Sequence, residues 1–276
     1  MCDICEIANH AHPPASHFEA GFEGFGGIID VIKRVYTRVL MSKIDPYLWS
    51  FTSKVLYDGV EKGYGKKLID LDYDTPDAEM LRALRQNVFM FSGFKTYQEL
   101  RTMTDALTSE DGKPVSFDAF KAKALEIHSD YDIRFLEAEY DNAIKSAQSA
   151  AQWVRFQKEK KELPLLKYVT VHDKRVRLEH QALDGIIRPV DDVFWNNFFP
   201  PNGWGCRCDV VQLDRGNITP TEKIVPPEML PMFKNNVGKS GVIFPESHPY
   251  YKVANTDENK VREFLRQNID ELKNPK

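Results

Sequence analysis

Apolar residues recur at spacings of three and four from Ile28 to about Lys160, the period of a helix with one buried face. Ile29, Ile32, Val35, Tyr36, Val39 and Leu40 share the first such face. Thr75 before Pro76 supplies an N-cap and a proline at a first helical position, where its missing N–H costs nothing, and Ser116 is placed to cap another helix. The longest helix is expected from about Asp132 to Lys160, with a stripe of Leu136, Tyr140, Ala143, Ile144, Ala147, Ala151 and Val154. Its alanines permit close approach of another helix, and part of this face is expected to be an intermolecular interface.

At Pro164 the pattern changes. Leu166, Tyr168, Val169, Thr170 and Val171 are apolar, aromatic or β-branched, as a strand requires, and Pro164 cannot extend the preceding helix. Asp184-Gly185, Pro200-Pro201-Asn202-Gly203 and Gly205 then punctuate short strands expected over Gly185 to Val190 and Asp209 to Leu213. A closing helix is expected from about Asp257 to Leu272, with Asn255 and Glu258 at capping-box spacing and Val261, Phe264, Leu265 and Ile269 on its apolar face. The pattern predicts an α+β fold in four parts. An irregular N-terminal arm covers 1–27 and a helical domain 28–163; a compact, loop-rich α+β module covers 164–252 and a C-terminal helix 253–276.

Composition narrows the function classes. A chain of 276 residues, 42% hydrophobic and 28% charged, can bury a substantial core. No apolar run approaches the roughly 18 residues that span a bilayer, and no basic stretch leads into an apolar one at the N-terminus, so a cytosolic protein without membrane contact is expected. The formal net charge of -4 does not support a general attraction to nucleic acid. Cys2, Cys5, Cys206 and Cys208 form two close pairs, too few for a disulfide scaffold, which points to reduced thiols or metal ligands.

The densest chemistry lies between Tyr168 and Gln212. His172, Asp173, Lys174, Arg175, Arg177, Glu179 and His180 crowd together after a strand, with Cys206 and Cys208 downstream of a proline- and glycine-rich turn. His180, Cys206 and Cys208 are donor types that suit zinc, with His172, Asp173 or Asp184 available as a fourth. The one-residue gap between the cysteines is shorter than a usual knuckle, although alternation along an extended segment points both thiols to one side. Reduced, buried cysteines and a locally bonded histidine are the alternative. Cys2 and Cys5, with His10, His12 and His17, form a second candidate metal set. Arg175 and Arg177 with His172 and His180 are candidates for phosphate binding and general acid–base catalysis; the same arginines could instead pair with Asp173, Asp184, Asp191 or Asp192 in a loop-ordering network. Phe194, Trp195, Phe198, Phe199 and Trp204 read as the core of a small module more than as a base-stacking platform, because no run of basic residues interleaves with them. There is no glycine-rich phosphate loop, dinucleotide fingerprint or H-E-x-x-H motif.

Asp173, Arg175, Arg177 and His180 in D-x-R-V-R-x-x-H, then Leu183-Asp184-Gly185, Pro189 and Pro200-Pro201-Asn202-Gly203-Trp204-Gly205-Cys206-Arg207-Cys208, resemble the phage Mu protein F-like family of head morphogenesis proteins. Asn236-Val237-Gly238-Lys239, Ile243-Phe244-Pro245 and His248-Pro249-Tyr250 look like its continuation, so the resemblance runs roughly from Ala143 to Tyr250. It implies a minor head protein of a tailed phage or prophage, acting in capsid–portal assembly or DNA delivery. Its partners would be the portal and other head proteins, and its location the host cytoplasm during assembly and then the virion. It implies no dedicated enzymatic activity. Two further readings stay open: a phosphodiester-cleaving or toxin-like enzyme built on His172, His180, Arg175 and Arg177, and a zinc-stabilised protein-binding module.

Overall fold

The structure is a computed structural model that describes residues 27–38 and 43–273, with side chains described as far as 269. The N-terminal arm with Cys2, Cys5, His10, His12 and His17 lies outside the described residues, as do Val39 and Leu40.

The fold is α+β. Its helices are α1 (Gly27–Tyr36), α2 (Pro46–Tyr64), α3 (Pro76–Asp105), α4 (Phe117–Ser129) and α5 (Leu136–Glu159), then the short α6 (Leu178–Gln181), α7 (Trp195–Phe198) and α8 (Val237–Ser240), and finally α9 (Asn255–Lys273). Three strands, β1 (Leu165–Val169), β2 (Ile187–Pro189) and β3 (Asp209–Leu213), form one sheet in the order β2-β1-β3. Packing divides the chain into two compact units that interleave along the sequence. One comprises the described parts of Met1–Tyr57, Val88–Tyr140 and Pro249–Lys276; the other comprises Asp58–Asn87 and Asp141–His248.

The first unit is helical. Val31, Ile32 and Val35 of α1 are buried with Leu48 of α2, Leu100 and Met103 of α3, and Phe120, Ala124 and Ile127 of α4. Ser116 caps α4 as its sequence position predicts, its hydroxyl accepting from the Ala119 amide at 3.3 Å. Between α4 and α5 the helix widens into a π-helical segment, Asp130–Phe135. The longest uninterrupted α-helix is therefore α3, with 30 residues, whereas α5 has 24 and begins four residues later than expected. In α9 the expected capping box is replaced: helical bonding already starts with the Asp257 and Glu258 amides donating to the Ala254 carbonyl, and the Glu258 carboxylate accepts instead from Arg262.

The second unit is mixed. Thr75 caps α3 by accepting from the Ala78 amide at 3.2 Å. β1 is the central strand, antiparallel to both neighbours, with Leu165 opposite Pro189 and Tyr168 opposite Val210. Pro189, which cannot donate to a ladder, sits on an edge strand. One core joins Trp153 and Phe156 of α5 to Leu166 and Tyr168 of β1, and to Leu183, Ile186, Phe194, Trp195, Phe199, Cys206, Cys208 and Val210. The aromatic run is thus mostly interior, which removes it as a stacking platform. Leu136, Ala143, Ala147 and Val154 of the α5 stripe are likewise buried, while Tyr140, Ile144 and Ala151 are half-buried.

Candidate metal centre in the mixed unit

β1 ends sooner than its β-branched sequence suggests. The Thr170 amide is captured by the Asp184 carboxylate at 2.7 Å, and His172 adopts φ 56°, turning the chain out of the sheet. The charged run that follows is a set of turns leading into α6. The Arg175 amide donates to Asp173 at 2.9 Å, and the Arg207 guanidinium donates to both oxygens of Asp173, at 2.6 and 2.8 Å. That fork-to-fork bond is the main reason the Asp173 carboxyl is held down at about 2. Arg177 donates to the Trp204 carbonyl, tying the turn before α6 to the turn before the cysteines. Gly203 makes this crossing possible: a Cβ there would lie 3.0 Å from the Arg177 guanidinium and 3.7 Å from His180 Nε2. At Gly205 the chain takes φ 64°, a conformation that glycine adopts without penalty, just before Cys206.

Inside these ties His180, Cys206 and Cys208 lie together. All three are buried, with relative exposures of 3%, 6% and 2%. His180 Nδ1 lies 3.8 Å from Cys206 Sγ and 3.5 Å from Cys208 Sγ, and all three donor atoms lie within 4.8 Å of one another. The chain alternates here as an extended segment must. Cys206 and Cys208 face inward and Arg207 faces outward to Asp173. A hydrogen bond from Cys208 draws Cys206 well below the usual thiol value against the effect of burial, and Cys208 is raised by the same bond and by burial. Burial, then the neighbouring cysteines, keep the Tyr168 phenol protonated, and it donates to Asn202 at 3.0 Å.

The other residues singled out in the sequence go elsewhere. His172 is largely exposed and lies 3.3 Å from Asp184. Asp173 and Asp184 are engaged as above, and no fourth histidine, cysteine or carboxylate joins the three donors among the described residues. The acids expected to pair with Arg175 and Arg177 have other cations: Asp173 has Arg207, Asp191 has Lys160 and Asp192 has Arg188. For the catalytic reading, one histidine is buried against thiols while the other is out in solvent, and Arg177 is committed to a backbone carbonyl.

A second buried cluster, in the helical unit, was missed in the sequence. Glu99 of α3, His128 of α4 and Asp132 of the π-helical segment converge, with His128 Nδ1 2.8 Å from Glu99 and 3.2 Å from Asp132. Lys95 and Glu139, both with fully buried side chains, pair at 2.6 Å, and Lys95 also donates to the Tyr131 carbonyl. Burial disfavours charge on His128, but Asp132 and Glu99 outweigh it and raise its pKa to about 10. The available signal was the spacing: Lys95 and Glu99, like His128 and Asp132, stand four apart and share a helix face with apolar residues.

Residues 116–211 match the family described as Phage Mu protein F like protein. The match begins earlier than the resemblance read from the motifs and stops short of Asn236 to Tyr250. Similar proteins include "Putative capsid assembly protein F" of Escherichia phage Mu, 36% identical over 100 residues, which are 36% of this chain and 22% of that protein. "Mu-like prophage FluMu F protein" of Haemophilus influenzae is 43% identical over 68 residues, 25% of this chain and 16% of that protein. The matched region thus spans about a fifth or less of these relatives. No solved structure matches.

Proposed function

We propose that the chain, whose residues 116–211 match the Phage Mu protein F like family, is a capsid-assembly component of a tailed phage or prophage. In this reading it is a minor head protein that acts in host cytoplasm on the portal and other head proteins, leaves in the virion, and has a structural role without turnover. One observation carries the reading. The residues shared with the family motif form the framework of a folded unit, with Asp173 clamping Arg207, Arg177 holding the Trp204 carbonyl and His180 facing the two cysteines. A structural protein needs this use of charged groups to order turns. A hydrolase would need them converging in a concave pocket that substrate can enter. No helix among the described residues is long and apolar enough to cross a membrane.

The test is genetic and compositional. Heads purified from a producing strain should contain the chain by mass spectrometry, tagged portal should retain it, and deletion of its gene should reduce DNA-filled heads. Full head yield without the gene, together with absence of the chain from heads and their precursors, would remove the proposal.

A further inference from the structure

We propose that His180 Nδ1, Cys206 Sγ and Cys208 Sγ hold one zinc(II) ion, which staples α6 to the segment entering β3. This goes beyond the assembly role and stands without it.

Three lines of argument converge. The first is distance. A tetrahedral zinc with Zn–S about 2.3 Å and Zn–N about 2.0–2.1 Å sets a sulfur-to-nitrogen edge of about 3.6 Å. The two observed edges are 3.5 and 3.8 Å. The second is directionality. One imidazole nitrogen has a single in-plane direction, carrying either a proton or a lone pair, and so makes one well-aligned hydrogen bond. Here Nδ1 meets two sulfurs at once, and those sulfurs converge on each other. A cation between the three would engage all of them at once, each through one lone pair. The third is composition of the site. Two thiolates and one imidazole are the soft and borderline donors that zinc selects, and they sit within the hydrophobic core, where an ion is held away from competing water. Three protein donors leave one tetrahedral position for a water.

The arrangement also explains the neighbouring ties. α6 has only four residues, too few to hold a helix by its own hydrogen bonds, and its Arg177 N-cap provides no side-chain bond. The sheet of the same unit has strands of five, three and five residues. A metal cross-link between residues 26 and 28 positions apart supplies long-range restraint where apolar area is scarce.

The experiment uses the full chain, purified reduced and without a polyhistidine tag, exposed to zinc and desalted. Elemental analysis should find about one zinc per chain. It should be retained when Cys2→Ser and Cys5→Ser are combined and lost when Cys206→Ser and Cys208→Ser are combined. Folded wild-type protein without metal, or zinc that persists in the second variant, overturns the proposal. To separate lost ligation from lost folding, the Cys2→Ser, Cys5→Ser protein, whose metal cluster is intact, is loaded with cobalt(II). A thiolate-to-cobalt charge-transfer band with intense tetrahedral ligand-field bands is expected, and a pale octahedral spectrum without charge transfer overturns it.

Discussion

Each unit of this molecule buries a histidine among two potential ligands, and the two clusters solve the same electrostatic problem in opposite ways. In the helical unit His128 lies between the carboxylates of Glu99 and Asp132, and a second buried pair joins Lys95 of α3 to Glu139 of α5. A proton on the imidazole, with the lysine, balances most of the negative charge from within. In the mixed unit His180 faces two sulfurs instead of two carboxylates. Hard oxygen donors can be neutralised by protons and ammonium groups. Converging sulfur donors call for a soft metal. The composition of a buried cluster therefore separates an internal salt-bridge network from the proposed metal site, although both offer three ligands at similar spacing.

The largest effect should come from breaking the self-neutralised cluster. Lys95→Met leaves Glu139 buried without its partner and is expected to lower unfolding free energy by about 3–5 kcal/mol in urea titration, with much of the loss recovered by adding Glu139→Leu. Full stability in the single variant would mean that the pair is not desolvated in solution. Next is metal removal: stripping zinc held at a hundredfold excess over its Kd should cost about 2.7 kcal/mol, read as a lower thermal midpoint after chelation that zinc restores. An unchanged midpoint would put the two clusters in one class.

The third effect depends on pH. The folded-state pKa of His128, about 10, is raised above its ordinary value of 6.5. Its stabilising contribution is therefore complete below about pH 6.5 and is lost as pH rises through about 10. Burial and then the charge of Asp132 raise the Glu99 pKa from 4.5 to about 8, so its own contribution is lost between about pH 4.5 and 8 and overlaps the histidine window only at its start. Wild-type stability should fall over this window by roughly 1 kcal/mol per pH unit. His128→Gln should flatten the slope, and an unchanged slope would locate the titration elsewhere. The smallest effect concerns the outward face of the cysteine segment. Arg207→Ala breaks only the exposed pair with Asp173, so metal content should not change. Loss of metal in that variant would show that ordering of the turns, and not the donor set alone, makes the site.

Much of this was legible in the sequence because it is local. The capping roles of Thr75 and Ser116, the change of period at Pro164 and the extent of β3 depend on a few neighbouring residues, and each has one favourable local solution. The cysteine alternation belongs to the same class, since period two follows from extended backbone geometry. Where a local preference had a competitor, the tertiary structure decided. The β-branched run after Tyr168 stopped when Asp184 captured the Thr170 amide, and the Asn255 cap gave way to an earlier helical start.

By itself, the sequence determined the fold class, the helical and strand segments, the family motif and the donor set His180, Cys206 and Cys208, because propensities, period and residue chemistry are properties of short stretches of chain. Only the tertiary structure decided which arginine clamps Asp173, that Ala143 and Ala147 of α5 are buried, that the two compact units interleave along the sequence, and that Glu99, His128 and Asp132 meet at all. Those outcomes turn on desolvation and pairing between residues distant in sequence, and the free energy of a buried charge depends on which partner the fold brings to it.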